Sequence, residues 1–339
     1  MNPLSESIET LGFASPWTYL GLFLAASLLM LWRFESLQKQ GLEGTALGTL
    51  VMPYCSGLGN LLFVWIVSTK HGPTQEVMTN ALVNNVTNLT LLLALPALFW
   101  GLDLNGTAKA KKPSRKKSAA TTAETVRRIN RLSLLLTLAA VLFFSGMTWA
   151  LAADGTLDAS DGLVLIALFL FWQCFQVFDV LKHNVIRRKS FGPFFYLDVL
   201  VLLAGAYVVY VSLDWLVTWL TSQRGGFFSA QHLGWLSGWL MVLPNALLAF
   251  YYGAKRRADI VYASQVGDGH ICIPLCLGLS ALLQPLAVPK FFETGLAILM
   301  GAAVVHAGCI VFAGRLPRWL GWPLLAGYAW FVGAGLMGG

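Results

Sequence analysis

Residues 51–99 read VMPYCSGLGNLLFVWIVSTKHGPTQEVMTNALVNNVTNLTLLLALPALF, and residues 237–285 read SGWLMVLPNALLAFYYGAKRRADIVYASQVGDGHICIPLCLGLSALLQP. Each stretch is apolar enough to cross a bilayer twice, yet each places polar groups where lipid is expected. Asn60 and Asn245 fall in mid-span. A polar cluster follows 23 to 28 residues later: Asn84, Asn85 and Asn88 in the first stretch, Asp268 and His270 in the second. Glycine and proline interrupt both, at Pro53, Gly57 and Gly59 and at Pro244, Gly267, Gly269 and Pro274. The two asparagines are 185 residues apart, which is five spans on the count below. An odd number of spans per copy turns the second copy upside down in the membrane. Inverted repeats with interrupted helices at matching places point to a secondary transporter whose site sits at the midplane between the halves.

The composition supports a membrane protein. The chain has 339 residues, 57% of them hydrophobic, and a mean hydropathy of +0.66. Only 12% are charged, against about 25% in a soluble domain. A disordered chain, a coiled coil, a secreted disulfide scaffold and an ordinary soluble enzyme are all excluded. Each helical span takes about 20 apolar residues, so the chain has room for roughly ten spans with their loops and no large soluble domain beside them.

Apolar runs between charged or Pro/Gly-rich breaks place spans near 17–33, 45–69, 79–101, 132–152, 161–182, 193–219, 231–254, 258–284, 293–313 and 319–337. All are helices, because lipid admits only helices or closed barrels and no alternating barrel pattern appears. The expected fold is an all-α polytopic membrane protein. Its ten transmembrane helices form two inverted five-helix repeats, 1–190 and 191–339, with broken helices at the midplane.

Charge tests the span count. Numbering the inter-span segments alternately puts 20 Lys/Arg on one side and three (Lys70, Arg224 and Lys290) on the other. The rich side is cytoplasmic by the positive-inside rule, so both termini face out. The N-terminus carries Glu6 and Glu9 and lacks a basic region, so it reads as retained and not as a cleavable signal. Short loops and such an N-terminus suit a bacterial inner membrane. The net charge of +7 belongs to one cytoplasmic basic loop, 102–131, of low complexity and too polar to fold alone. Its basic residues are topogenic and favour anionic lipid; nucleic-acid binding is not expected. Cys272 and Cys276 read as packing residues, and no cofactor is expected.

The two stretches resemble the alpha-repeats of the calcium/cation antiporter superfamily, which includes the sodium/calcium exchangers. The family pattern is Gly-Thr-Ser-x-Pro-Glu in one helix and Gly-Asn-x-x-Gly-Ser-Asn-x-x-Asn/Asp in the next. Gly59-Asn60 followed by Thr79 to Asn88 fits its spacing, and so does Pro244-Asn245 followed by Ala263 to Cys272. The resemblance implies a ten-span cation antiporter working by alternating access, with Asn60, Asn84, Asn88, Asn245 and Asp268 at the ion-binding positions. The departures are chemical. Asn60 and Asn245 stand where the family has cation-binding glutamates, Asp268 stands at a serine position, and Cys272 replaces the final Asn/Asp.

One carboxylate and several amides suit Ca²⁺ poorly, since Ca²⁺ prefers six to eight oxygens, several of them charged. They suit a monovalent cation better. Burial would let Asp268 hold a proton in competition with the cation, with His270 as a second proton-relay candidate. The sequence therefore predicts exchange of Na⁺, or K⁺, for H⁺. A sodium/calcium-type exchange and a transport-inactive relative acting as a partner protein remain as alternatives.

The rival readings of single residues are structural. Intramembrane asparagines also serve as interhelical hydrogen-bonding groups, and Asn80 fits either role. His306 reads mainly as a core residue. Asp179 and Asp198 are expected to pair with Lys182, Arg187 and Arg188. An intramembrane aspartyl protease is excluded: Gln265 stands where its signature needs glycine, and no partner acid helix appears. A Ser/His or metal hydrolase lacks a ligand spacing. No enzyme is expected.

Overall fold

The computed structural model describes residues 3–37, 57–70, 72–104, 117–183, 192–267 and 269–337. The chain is a multi-pass integral membrane protein, built almost entirely of helices. Among the described residues nine helical stretches are long and apolar enough to cross a bilayer: Pro16–Leu37, Gln75–Trp100, Arg128–Asp154, Ala159–Phe178, Phe194–Ser222, Ala230–Ala254, Ala258–Leu283, Phe292–Ala313 and Arg318–Met337. A shorter apolar helix, Leu58–Thr69, covers the described part of the expected span 45–69. Pro53 and the rest of 45–56 lie outside the described residues.

The helices are α1 (Pro3–Thr10), α2 (Pro16–Leu37), α3 (Leu58–Thr69), α4 (Gln75–Leu89), α5 (Leu91–Trp100), α6 (Lys117–Leu151) and α7 (Ala159–His183). They continue with α8 (Pro193–Ser222), α9 (Leu233–Ala254), α10 (Ala258–Gly267), α11 (Gly269–Ile271), α12 (Leu277–Leu283), α13 (Phe292–Gly308) and α14 (Gly321–Met337). Two stretches stand out by burial. In Gln75–Trp100 78% of the apolar window is buried, and in Ala258–Leu283 75%, against 50% or less in every other span. These are the polar helices of the two repeat stretches. A helix covered on every side can hold asparagines that a lipid-facing helix cannot.

Three sequence expectations need correction. The basic loop 102–131 is too polar to fold alone by sequence, yet its residues from Lys117 onward are helical within α6. Ala, Glu, Lys and Arg are good helix formers, and a span already nucleated downstream extends into them at little cost. Leu102 and Asp103 are also ordered, pairing antiparallel with Leu316 and Arg315. Second, Pro244 does not interrupt its helix: α9 runs through it. A proline removes one hydrogen bond, and neighbouring helices in a membrane bundle compensate. Third, an unexpected break divides Gln75–Trp100 at Thr90, between α4 and α5. Gly57 does stand at a helix end, and Pro274 lies in a widened π-type turn over Cys272–Cys276; whether the helix breaks between Gly267 and Gly269 turns on Asp268, which lies outside the described residues.

The described chain packs as two compact units that interleave in sequence. The first comprises residues 1–81, 157–244 and 274–287. Its longest contact runs between α2 and α8. Tyr19 stacks on Trp215 at 4.2 Å, over Val211 and Leu216. Near the other end of α2, Arg33 donates to Asp198 at 3.1 Å and Ser36 donates to it at 2.8 Å. Asp198 thus has a partner on α2 that its neighbours in sequence did not suggest; Arg187 and Arg188 lie outside the described residues. Helices α7 and α12 meet closely, since a β-carbon on Gly162 would stand 2.7 Å from the Gly278 carbonyl oxygen.

The second unit comprises residues 82–156, 245–273 and 288–339. In it α6 packs along α13 and α10, and α5 packs against α14. The unit divisions at Ala81/Leu82, Pro244/Asn245 and Ile273/Pro274 all fall within the two repeat stretches.

Candidate functional site

Helix α4 carries the densest set of buried amides. Asn84 and Asn88 have no exposure, and Asn85 has 2%. Asn84 and Asn88 are four residues apart and therefore share a face. The Asn88 Nδ2 donates to Asn84 Oδ1 at 2.9 Å. This bond orients the Asn88 amide.

Asn85 faces the second repeat stretch. A β-carbon on Gly269 would stand 3.1 Å from Asn85 Oδ1 and 2.9 Å from Val141 Cγ2 of α6. Only glycine lets the start of α11 come this near. The contact brings Asn85 to the residue that follows Asp268. Asp268 itself lies outside the described residues, and of His270 only the backbone is described, within α11.

Asn245 is half-buried on α9, and its backbone carbonyl accepts a hydrogen bond from Gln265 Nε2 at 3.2 Å. The same Nε2 donates to Ser264 Oγ at 2.9 Å. Gln265 is 1% exposed, and its Oε1 has no hydrogen-bond partner among the described residues. A buried acceptor without a donor costs about 1–3 kcal/mol, and a bound cation would satisfy it. Sequence reasoning treated Gln265 only as a mismatch to a protease signature. The available signal was its place in the repeat motif, beside Gly267.

In the first unit Asn60 is buried at 3% exposure on α3. Asn80 donates to Ser237 Oγ at 2.9 Å, an interhelical hydrogen bond. Glu76, which sequence reasoning passed over, accepts from the Gly234 N–H at 2.5 Å, at the first turn of α9. A carboxylate there satisfies a donor that the helix leaves open and complements the helix dipole.

The arrangement is rich in neutral oxygen and poor in charge. Among the described residues Asp198 is the only buried acid, and it pairs with Arg33. No group of three or more His, Cys, Asp or Glu side chains that could hold a metal occurs among them. Amide and backbone carbonyl oxygens bind hard cations, though more weakly than carboxylates.

Residues 14–178 match the family model described as sodium/calcium exchanger protein. Solved structures of the sodium-calcium exchanger NCX_Mj share the fold. One, soaked with 2.5 mM Na⁺ and 1 mM Sr²⁺, aligns with a TM-score of 0.64 at 17% identity, covering 93% of this chain and 95% of that one. Another, soaked with 2.5 mM Na⁺ and 0.1 mM Ca²⁺, gives 0.62 at 18% identity over 93% and 95%. No curated protein sequence matches the chain.

Proposed function

We propose that this chain belongs to the calcium/cation antiporter superfamily, as the partial family-model match and the shared fold support, and that it is a secondary active cation antiporter that exchanges a monovalent cation, Na⁺ first, for H⁺ by alternating access. The observation that carries the reading is the buried amide set of α4, with Asn85 against Gly269 beside Asp268 in the chain. The ion ligands in this proposal are Asn60, Asn84, Asn88, Asn245 and Asp268. Asp268 carries the exchanged proton, with His270 as its relay partner.

The charge count supports the monovalent choice. A desolvated divalent ion needs more than one carboxylate. The same group cannot hold a proton and pair with a cation at once, so competition at Asp268 couples the two fluxes. The Lys/Arg split assigns both termini to the outside in this proposal, and the short loops favour a bacterial inner membrane. The two five-span halves, 1–190 and 191–339, are the repeat units of the mechanism.

The second reading is Na⁺/Ca²⁺ exchange. It is favoured by the matched exchanger structures, which were soaked with Na⁺ and with Ca²⁺ or Sr²⁺.

Purified protein in liposomes with an internal pH dye tests both. Addition of outside Na⁺, K⁺ or Ca²⁺ should move protons for Na⁺ and fail to do so with Asp268→Asn. Ca²⁺ uptake driven by a Na⁺ gradient, with no pH response, would establish the second reading. No flux of any ion would overturn both and leave a transport-inactive partner protein.

A further inference from the structure

Helices α13 and α14 leave a groove of about 190 Å³ between them. Its walls are Ile298, Gly301, Ala302 and Val305 on α13 and Leu320, Pro323, Leu324 and Gly327 on and just before α14. Each set repeats at helical spacing i, i+3, i+4, i+7, so each is one face of its helix. Faces of this kind normally close on each other. Here Gly301 and Gly327 lack side chains, and a β-carbon on Gly301 would meet nothing within 4 Å. Thr90, at the break between α4 and α5, also lines the groove. Its hydroxyl is turned back onto the Val86 carbonyl, which leaves the lining almost wholly apolar.

The surroundings say what fits. Both helices are membrane spans, and Gly301 and Pro323 are exposed, so the groove opens towards lipid. The volume is below the roughly 300–1,000 Å³ of small-molecule pockets, so the groove takes a segment of a chain whose remainder continues into the surrounding lipid. Trp319 and Trp322, each 67% exposed, stand where α14 begins. Exposed tryptophans of a span anchor at the headgroup level. Arg318 lies at the same end, exposed, and makes no ion pair among the described residues. Arg318 precedes Leu320 of the groove lining by two residues and is a cation available to an anionic group at this end.

We propose that this groove seats one acyl chain of an anionic phospholipid, with its phosphate held by Arg318. The charge two residues before Leu320 of the lining and the apolar run along α13 and α14 match the two ends of such a molecule. The proposal does not depend on which ion is transported.

Native mass spectrometry of the purified protein after exchange into vesicles of phosphatidylglycerol or phosphatidylcholine tests it. The native chain should retain one phosphatidylglycerol more than Gly301→Leu, which fills the groove. Arg318→Gln should reduce phosphatidylglycerol retention several-fold and leave phosphatidylcholine unchanged. If Gly301→Leu misfolds, Gly327→Leu fills the same space, with its added β-carbon at an ordinary 3.6 Å from Ile298. Equal retention by the native chain and the filled variant overturns the proposal. So does equal retention of the two lipids. So does a native dimer that Gly301→Leu abolishes, because a second copy would then be the occupant.

Discussion

The Nε2 of His306 lies 2.8 Å from the carbonyl oxygen of Leu89. A carbonyl only accepts, so Nε2 carries the hydrogen. The other ring nitrogen, Nδ1, lies 3.3 Å from the Tyr262 hydroxyl and accepts from it in the neutral ring. Leu89 is the last residue of α4, immediately before the break at Thr90. His306 therefore ties the broken end of the amide-bearing helix to α13, and through Tyr262 to α10. All of this is buried: His306 and Tyr262 have no exposure.

Replacing His306 with Phe should leave the Leu89 carbonyl and the Tyr262 hydroxyl buried without this partner. Each such group costs about 1–3 kcal/mol, so destabilisation of about 2–4 kcal/mol is expected. Tyr262→Phe removes one weaker bond and should cost about 1 kcal/mol. Denaturation of the purified single and double variants in detergent measures both. Additive losses would show that the two contacts act independently, against the coupling expected of one network.

Gly269→Ala should abolish ion flux without unfolding the chain. The new methyl group would press on Val141 and on the Asn85 amide oxygen, at 2.9 and 3.1 Å. Val141→Ala removes the nearer obstacle and should restore part of the flux in the double variant. Liposome flux assays on the three variants test this. Full activity of Gly269→Ala would mean that the approach of α11 to α4 has no part in transport.

Arg33 and Asp198 join α2 to α8 within the first unit. Asp198 is 4% exposed at its side chain and Arg33 30%. Removing one partner of a fully buried pair costs about 3–5 kcal/mol; partial exposure of Arg33 lowers the expectation to about 2 kcal/mol for Arg33→Gln. The double variant Arg33→Gln, Asp198→Asn should lose less than Arg33→Gln alone, because no buried charge is stranded. Melting temperatures of the three proteins decide the order.

Asp158 caps α7. Its Oδ1 accepts from the Ser160 hydroxyl and from the N–H groups of Ser160 and Asp161, while Asp161 Oδ2 accepts the Asp158 N–H. This is a reciprocal capping box. The bonds from Ser160 and Asp161 hold the Asp158 carboxyl below its ordinary value. A depressed folded-state value gives stability that is present above the unfolded value of about 3.9 and lost as pH falls through the folded one. The native melting temperature should thus fall as pH drops below about 4, and Asp158→Ala should flatten that part of the profile. Identical slopes in the two proteins would exclude the cap as their source.

Much of the fold was legible in the residues because the membrane makes the signal local. The runs at 193–219, 231–254 and 258–284 correspond to helices Pro193–Ser222, Leu233–Ala254 and Ala258–Leu283 within a few residues. The start of α6 was misjudged because helix propensity, and not hydropathy, governs residues outside the lipid. The Thr90 break escaped notice for a related reason. Pro96 is the nearest breaker in the sequence, but it lies inside α5.

The buried polar residues were legible in kind, and their contacts were not. The motif spacing singled out Asn84 and Asn88, which the structure joins by a hydrogen bond. It did not separate Asn80, bonded to Ser237, from its neighbours. Nor did it rank Gln265 or His306 above residues with no partner role. Such distinctions depend on which side chain a neighbouring helix presents, and residue type alone does not carry that.

The sequence by itself determined that this chain spans a membrane, how many apolar runs it has, and which two stretches carry polar groups within those runs. These follow from sums over neighbouring residues, since transfer into lipid adds up along each run. The tertiary structure alone decided that Asn85 meets Gly269, that Glu76 caps α9 at Gly234, and that His306 closes onto Leu89. Each of these joins residues more than a hundred positions apart. Their meeting depends on backbone geometry such as a missing β-carbon, an open helix end and a break at Thr90, and that geometry exists only once the helices have packed.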